Sequence, residues 1–238
     1  MTQILNHENL VELNLKLEKS QLNDQDLIYL TKSLKKCKCI AFLQLNLGYN
    51  QLYDDSVSNL GEAIGQFQNL LQLNLNLKHN KIADIGLKKL INGLSNSKKI
   101  KELILNLENN FFNSKGVSDT AIYFDRFKNL SIFTLNIGFN QINQEGIQNL
   151  SFSIGQHLEI KTLTLYLYEL QIGDKGAAFL GDNLSQTKNL KSLTLDLSYN
   201  IIGNEGILGI AQALAQSQNL KFLELYLWYL EIQINVNY

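Results

Sequence analysis

No proline interrupts this chain, and a single arginine, Arg126, stands among its lysines. Its two cysteines, Cys37 and Cys39, flank one lysine. With no second Cys pair and no paired His elsewhere, a four-ligand zinc site is excluded. Cys37 takes the slot that Phe67 and Phe127 fill thirty and ninety residues later, so it reads as a small apolar filler. His7, His79 and His157 fall in different repeats and on different kinds of position, which argues against a triad or a metal cluster. There is no Gly-x-x-x-x-Gly-Lys and no Gly-x-Gly-x-x-Gly after a strand, so the phosphate loops of nucleotide enzymes are missing. No run of eighteen apolar residues exists to cross a membrane, and Met1–Glu8 lacks the charged start and apolar run of a signal peptide. The formal charge of −1 gives no electrostatic preference for nucleic acid or anionic membranes. These absences predict a cytoplasmic protein that is not an enzyme, has no cofactor or metal, and has neither a nucleic-acid nor a membrane partner. The Asn-x-Ser matches at Asn129, Asn149 and Asn183 are then idle.

What the chain does have is a period. Leu10, Ile40, Leu70, Ile100, Leu130, Ile160, Leu190 and Leu220 recur every thirty residues without an insertion or deletion. A unit of this size cannot bury its own apolar face and must stack on copies of itself. Three, five and seven residues after each anchor stands another apolar residue, as in Leu43, Leu45 and Leu47, and this alternation predicts a strand with one buried face. Further on, apolar residues recur at three and four, as in Leu87, Leu90, Ile91 and Leu94, and predict one face of a helix of about three turns. Asp24, Asp54, Asp84, Ser114, Asp174 and Asn204, fourteen after the anchor, are expected to cap that helix. Gly86, Gly116, Gly146, Gly176 and Gly206 read as packing sites at the helix start. The high Asn and Gln content falls on loop and outward positions of a strict repeat, so it is not low-complexity sequence. The basic run from Lys32 to Lys38 reads as a solvated helix end favourable to the dipole.

Parallel strands stack about 4.8 Å apart and helices need roughly 8–10 Å, so such a stack curves with its strands inside. Side chains four, six and eight after each anchor point outward on the concave face, where ligand-reading residues are expected.

Leu45-x-Leu47-x-x-Asn50-x-Leu52, Leu75-x-Leu77-x-x-Asn80-x-Ile82 and Leu195-x-Leu197-x-x-Asn200-x-Ile202 resemble the conserved segment of leucine-rich repeats. With Ile202-Gly203-x-x-Gly206 and a full helix, the likeness is to the ribonuclease-inhibitor-like subclass. The resemblance spans nearly all of residues 1–238 and implies one α/β solenoid domain of about eight repeats, whole or as a segment of a longer protein. Two features depart from the family pattern: an extra alternating pair before the Asn, and a period slightly above the usual range, which together imply a longer strand or a bulge before it. The resemblance further implies that Asn50, Asn80, Asn110, Asn140 and Asn200 bond neighbouring turns into a ladder, broken at Ser20, Leu170 and Leu230.

By function, the resemblance points to a protein-binding module or scaffold. The alternatives are a regulator of a small GTPase, as in the Ran GTPase-activating protein, or the repeat segment of a larger kinase or sensor protein. No motif carries over from the GTPase regulator, whose acidic tail this chain also lacks. The expected partner site lies near the end of the array. There the outward Tyr166, Tyr168, Glu224, Tyr226 and Trp228 flank Asp196, with Tyr199, Tyr229 and Glu169 as a rim. Tyr and Trp dominate binding hot spots and also receive cations. Ile4 and Ile232 sit where the repeat pattern runs out, and uncapped ends of this kind predict self-association or fraying.

Overall fold

A computed structural model describes residues 9–228. The ends singled out above, with Ile4, Tyr229, Leu230 and Ile232, lie outside them. Strand and helix alternate throughout: β1 Glu12–Lys16, α1 Asp24–Leu34, β2 Phe42–Asn46, α2 Asp54–Gly65, β3 Gln72–Asn76, α3 Asp84–Leu94, β4 Glu102–Asn106, α4 Ser114–Phe124, β5 Ile132–Asn136, α5 Gln144–Gly155, β6 Thr162–Tyr166, α6 Gly173–Ser185, β7 Ser192–Asp196, α7 Asn204–Leu214 and β8 Phe222–Tyr226. The eight strands form one parallel sheet in chain order. Every pairing joins a residue to the one thirty later, as Leu13 to Leu43 and Leu165 to Leu195. Each helix packs on the next, giving a strand layer and a helix layer with one continuous core between them.

The strand is not lengthened by its extra apolar pair. It has five residues in every repeat, and the backbone pairing then continues through the turn, as Leu47 N–H donates to the Asn76 carbonyl at 2.8 Å and Tyr49 N–H to that of Lys78 at 2.8 Å. At the other end two N–H groups, those of Leu71 and Gln72, converge on the Ala41 carbonyl. The anchors Ile40, Leu70, Ile100, Leu130, Ile160 and Leu190 are all buried. Each such side chain withdrawn from water contributes roughly 1.5–3 kcal/mol, and the column continues unbroken across the repeats.

The asparagine ten after the anchor is buried and serves two repeats at once. In Asn50 the Nδ2 donates to the carbonyls of Leu17 and Leu47, both at 2.9 Å, and the Oδ1 accepts from Leu22 N–H at 2.9 Å. Asn80 repeats this against Leu47, Leu77 and Leu52. Asn110, Asn140 and Asn200 bridge successive turns in the same way. Leu170 is buried in the corresponding place and supplies no amide, so no such bridge joins the fifth and sixth repeats.

The helix caps fall one residue earlier than the sequence suggests. Asn23, Asn113 and Asn143 are the N-caps whose side chains accept a first-turn N–H. Asp24, Asp54, Asp84 and Asp174 are instead inside the helix or its first residue. Their carboxylates reach sideways to the backbone of the next repeat: Tyr53 N–H donates to Asp24 at 2.8 Å, Ala83 to Asp54 at 2.7 Å, Asn113 to Asp84 at 2.8 Å and Gly203 to Asp174 at 2.6 Å. Stacking at thirty residues sets each carboxylate beside the following cap, which is why its reach is lateral. The same closeness explains the glycine two residues on, because a Cβ at Gly86 would stand 2.8 Å from the Asp54 Cα.

The slot of Cys37, Phe67 and Phe127 is held by His157 in the fifth repeat, buried like them. Its Nε2 lies 2.9 Å from the Phe127 carbonyl and its Nδ1 faces the Glu159 N–H at 3.3 Å, so the neutral ring with the proton on Nε2 satisfies both. Burial holds its pKa below the usual 6.5, against the opposite pull of Phe127, Asp125 and Glu159 and with a small contribution from Lys128.

Two outcomes are expected. Asn110→Leu and Asn140→Leu each leave buried turn groups unpaired and cost about 1–3 kcal/mol in denaturant unfolding, whereas Leu170→Asn is neutral or mildly stabilising. Because the folded state disfavours protonated His157, its stabilising contribution is intact above pH 6.5 and declines as the pH falls below it. Thermal unfolding of His157→Phe should therefore lose less stability than the wild type between neutral and mildly acidic pH.

Candidate functional site

The strand register sets the outward residues of the sheet in straight rows. Six after the anchor the row runs Lys16, Asn46, Asn76, Asn106, Asn136, Tyr166, Asp196 and Tyr226, each beside the next. Its asparagines close the strand: Asn76, Asn106 and Asn136 accept the N–H two residues on at 3.0, 3.1 and 3.1 Å. Asp196 does the same for Ser198 N–H at 3.0 Å, and its Oδ2 has no hydrogen-bond partner among the described residues.

The register thus brings Tyr166, Asp196 and Tyr226 together, with a tyrosine on each side of the carboxylate. Glu224 joins them, accepting from the Tyr226 hydroxyl at 2.7 Å. That bond, with some burial and the surrounding negative charge, raises the Tyr226 pKa. Trp228 is 65% exposed and its N–H donates to the Ser198 hydroxyl at 3.3 Å. Tyr199, also exposed, donates its N–H to the Trp228 carbonyl.

Tyr168 does not join this group. Its ring lies across Gly138, where a Cβ would come within 2.6 Å of it, and meets Phe139 edge-on at 5.5 Å. Asn136 Nδ2 donates to its hydroxyl at 3.0 Å and the Glu108 carboxylate accepts a hydrogen bond from that hydroxyl, so with burial as the main cause its pKa is pushed well above the ordinary phenol range. Tyr168 therefore ties the sixth repeat back to the fifth and fourth on the outer face, at the joint where Leu170 leaves the inner ladder open.

Nine after each anchor a non-glycine residue adopts the left-handed conformation: Lys19, Tyr49, His79, Asn109, Phe139, Glu169 and Tyr199 have φ between 49° and 58°. This costs of order 1 kcal/mol apiece and projects a row of side chains along the strand-end edge. Tyr49 and His79 stack with centroids 4.1 Å apart, Lys19 and Lys78 lie over Tyr49 at 4.9 and 5.0 Å, and Asn109 bonds His79 at 3.0 Å.

A second feature of the sheet face escaped the sequence reading. A groove of ≈ 400 Å³ opens over β1–β4, lined among others by Glu12, Asn14, Phe42, Gln44, Gln72 and Asn74 with Ile104. The signal was the polar side chains four after the first three anchors, Asn14, Gln44 and Asn74. Among the described residues no three His, Cys, Asp or Glu side chains gather as metal ligands, and no helix is long and apolar enough to cross a membrane.

The Leucine Rich repeat family model matches residues 73–90, 128–151 and 189–211. Each stretch takes in a strand and runs through its turn into the following helix. The chain carries leucine-rich repeats and folds as their solenoid. No curated protein matches its sequence. Solved structures similar to it include internalin C2 from Listeria monocytogenes str. 4b F2365, at 21% identity and a TM-score of 0.45 over 86% of this chain and 84% of that one. The actin-binding site 2 of leiomodin-1 is similar at 15% identity and a TM-score of 0.44, over 56% of this chain and 75% of that one. Leucine-rich repeat proteins in general mediate protein–protein interaction and are typically not enzymes.

The ties of Tyr168 predict a clear contrast on this face. Tyr168→Ala should cost about 1–3 kcal/mol in denaturant unfolding followed by circular dichroism, and Leu170→Asn should recover part of the loss. Trp228→Ala should stay within about 0.5 kcal/mol of the wild type.

Proposed function

We propose that this leucine-rich repeat chain is a non-enzymatic module that binds a protein partner on the sheet face over β6–β8, through a lysine or arginine of that partner. The observation that carries the reading is the row Tyr166, Asp196 and Tyr226, in which two aromatic residues flank a carboxylate whose second oxygen has no hydrogen-bond partner among the described residues. A cation entering there meets a negative charge and two ring faces, an arrangement that favours guanidinium or ammonium over neutral groups. Glu224 and the exposed Trp228 extend the same surface, and Tyr199 borders it. From β4 to β8 the outward positions carry Glu102, Glu108, Asp196 and Glu224 and no cation, which selects the same kind of partner. Tyr168 is a structural neighbour of the site rather than a contact. The full helix and long unit support placement in the ribonuclease-inhibitor-like subclass.

Trp228 is the single tryptophan of the chain, so its fluorescence reads the site directly. Peptides selected from a random display library on the purified protein should share a Lys or Arg next to an apolar residue and quench or shift that emission. Asp196→Asn and Tyr166→Ala should weaken them at least about tenfold, a loss of roughly 1.4 kcal/mol, with thermal stability nearly unchanged. Lys16→Ala and Asn76→Ala should bind as the wild type does. Selected peptides without a cation, or affinity unmoved by Asp196→Asn, would count against the reading.

A further inference from the structure

The formal charge of −1 conceals a separation that only the fold makes visible. Seven loops carry the chain from a helix into the next strand, at 35–41, 66–71, 95–101, 125–131, 156–161, 186–191 and 215–221. They hold twelve of the 21 cations, Arg126 and eleven lysines, and two of the 22 acids, Asp125 and Glu159. All twelve cations are exposed. Stacking in register sets these loops side by side along one edge of the solenoid. The opposite edge, where strands end and helices begin, is acidic, with Glu18, Asp24, Asp54, Asp84, Glu145, Asp174 and Glu205 among its residues.

Helix dipoles account for only part of this. A cation gains from the dipole within the last turn, yet nine of the twelve lie three or more residues past a helix end, as do Lys98, Lys101, Lys161, Lys191 and Lys221. Nor are they neutralised. Within these loops, among the described residues, the one ion pair is Lys128 with Asp125 at 3.9 Å, both exposed. Lysines elsewhere bridge acids, as Lys78 does to Glu18 and Lys88 and Lys115 do to Asp119.

We propose that this strand-start edge docks on a membrane surface that bears anionic lipid headgroups. Three observations favour a lipid surface over other polyanions. The repeat has no insertion in any of these loops, so the edge is level, and an arc with a level edge touches a plane along its whole length but a straight duplex only in part. The loops present no exposed aromatic ring on which single-stranded bases could stack. Apolar groups adjoin the charges: Leu158 in one loop is 57% exposed, and Ile122 and Phe152, in the last turns of α4 and α5, are exposed beside Asp125 and Gln156. A basic strip with a few apolar groups matches the headgroup boundary. The acidic edge does not cancel the attraction. The helices between the two edges are eleven to thirteen residues long, about 17 Å or more, while charges are screened beyond roughly 8 Å at physiological salt.

The test is flotation of the purified chain with vesicles of phosphatidylcholine alone or with about 30% phosphatidylserine, at about 0.1 M salt, a condition set by the screening length. The wild type should float only with the anionic vesicles and be released as salt rises. The triple variant Lys98→Glu, Lys99→Glu and Lys101→Glu should lose at least about tenfold in partition. Lys188→Glu with Lys191→Glu, at the other end of the edge, should lose a similar share, so that misfolding of one variant leaves the other to decide. Lys81→Glu with Lys175→Glu, on the acidic edge, should float as the wild type does. Absence of flotation at this salt, flotation unmoved by both edge variants, or binding to polyglutamate or single-stranded RNA but not to vesicles would each overturn the proposal.

Discussion

One side-chain amide per repeat holds this molecule together. Where the chain leaves the strand it must turn inside the stack, and the N–H and C=O groups of that turn are buried away from water. Leaving such groups unpaired costs about 1–3 kcal/mol each, and Asn50 and its equivalents remove that cost by donating to two turns and accepting from one. The partners lie 28 and 33 residues back in the chain, so the amide reaches them only if each repeat has the same length. The invariant period is a consequence of this bond. It also puts the lateral carboxylates beside the following caps and keeps the loops of the strand-start edge level.

Constant length turns a linear sequence into a set of parallel rows, and the rows divide the work. Those pointing inward are apolar and form the core. On the sheet face, the row six after the anchor closes five strands with an Asx-type bond, from Asn46, Asn76, Asn106, Asn136 and Asp196, and asparagine gives way to Lys16 at its start and to Tyr166, Asp196 and Tyr226 at its end. The two edges then differ in charge, in part because helices begin along one and end along the other.

Much of this was legible before any coordinate. The thirty-residue anchors gave the strands, the three-and-four spacing gave the helices, and the recurring glycines marked close packing at helix starts. Other features were hidden for identifiable reasons. Asp24 and its counterparts look like caps because they stand at a helix start beside free N–H groups, but their nearest unpaired donor belongs to the next repeat. Asn46 and Asn76 read as surface polar residues, since nothing in a single unit distinguishes a strand-closing amide from a solvated one. The direction of Tyr168 depends on the missing side chain at Gly138, thirty residues earlier, so its separation from Asp196 could not be seen within one repeat. Net charge, a sum, carries no information about rows.

Leu170 gives the array an uneven grain. The chain of amide bridges runs without interruption from the first repeat to the fifth and resumes between the sixth and seventh, so the intervening joint is spanned instead by sheet pairing, helix packing, the outer tie from Tyr168 and the bonds of Asn183 to the Ser151 hydroxyl and of Asn189 to the Leu158 carbonyl. In a solenoid, opening is governed by the weakest interface between neighbours, and cooperative units separate there first. On this argument the joint is where the array is expected to divide, so that amides on either side of it share an opening free energy with their own block before they share one with the whole. Under the proposed function, a ligand on the row centred on Asp196 would stabilise the last three repeats and leave the local stability of the first five unaltered.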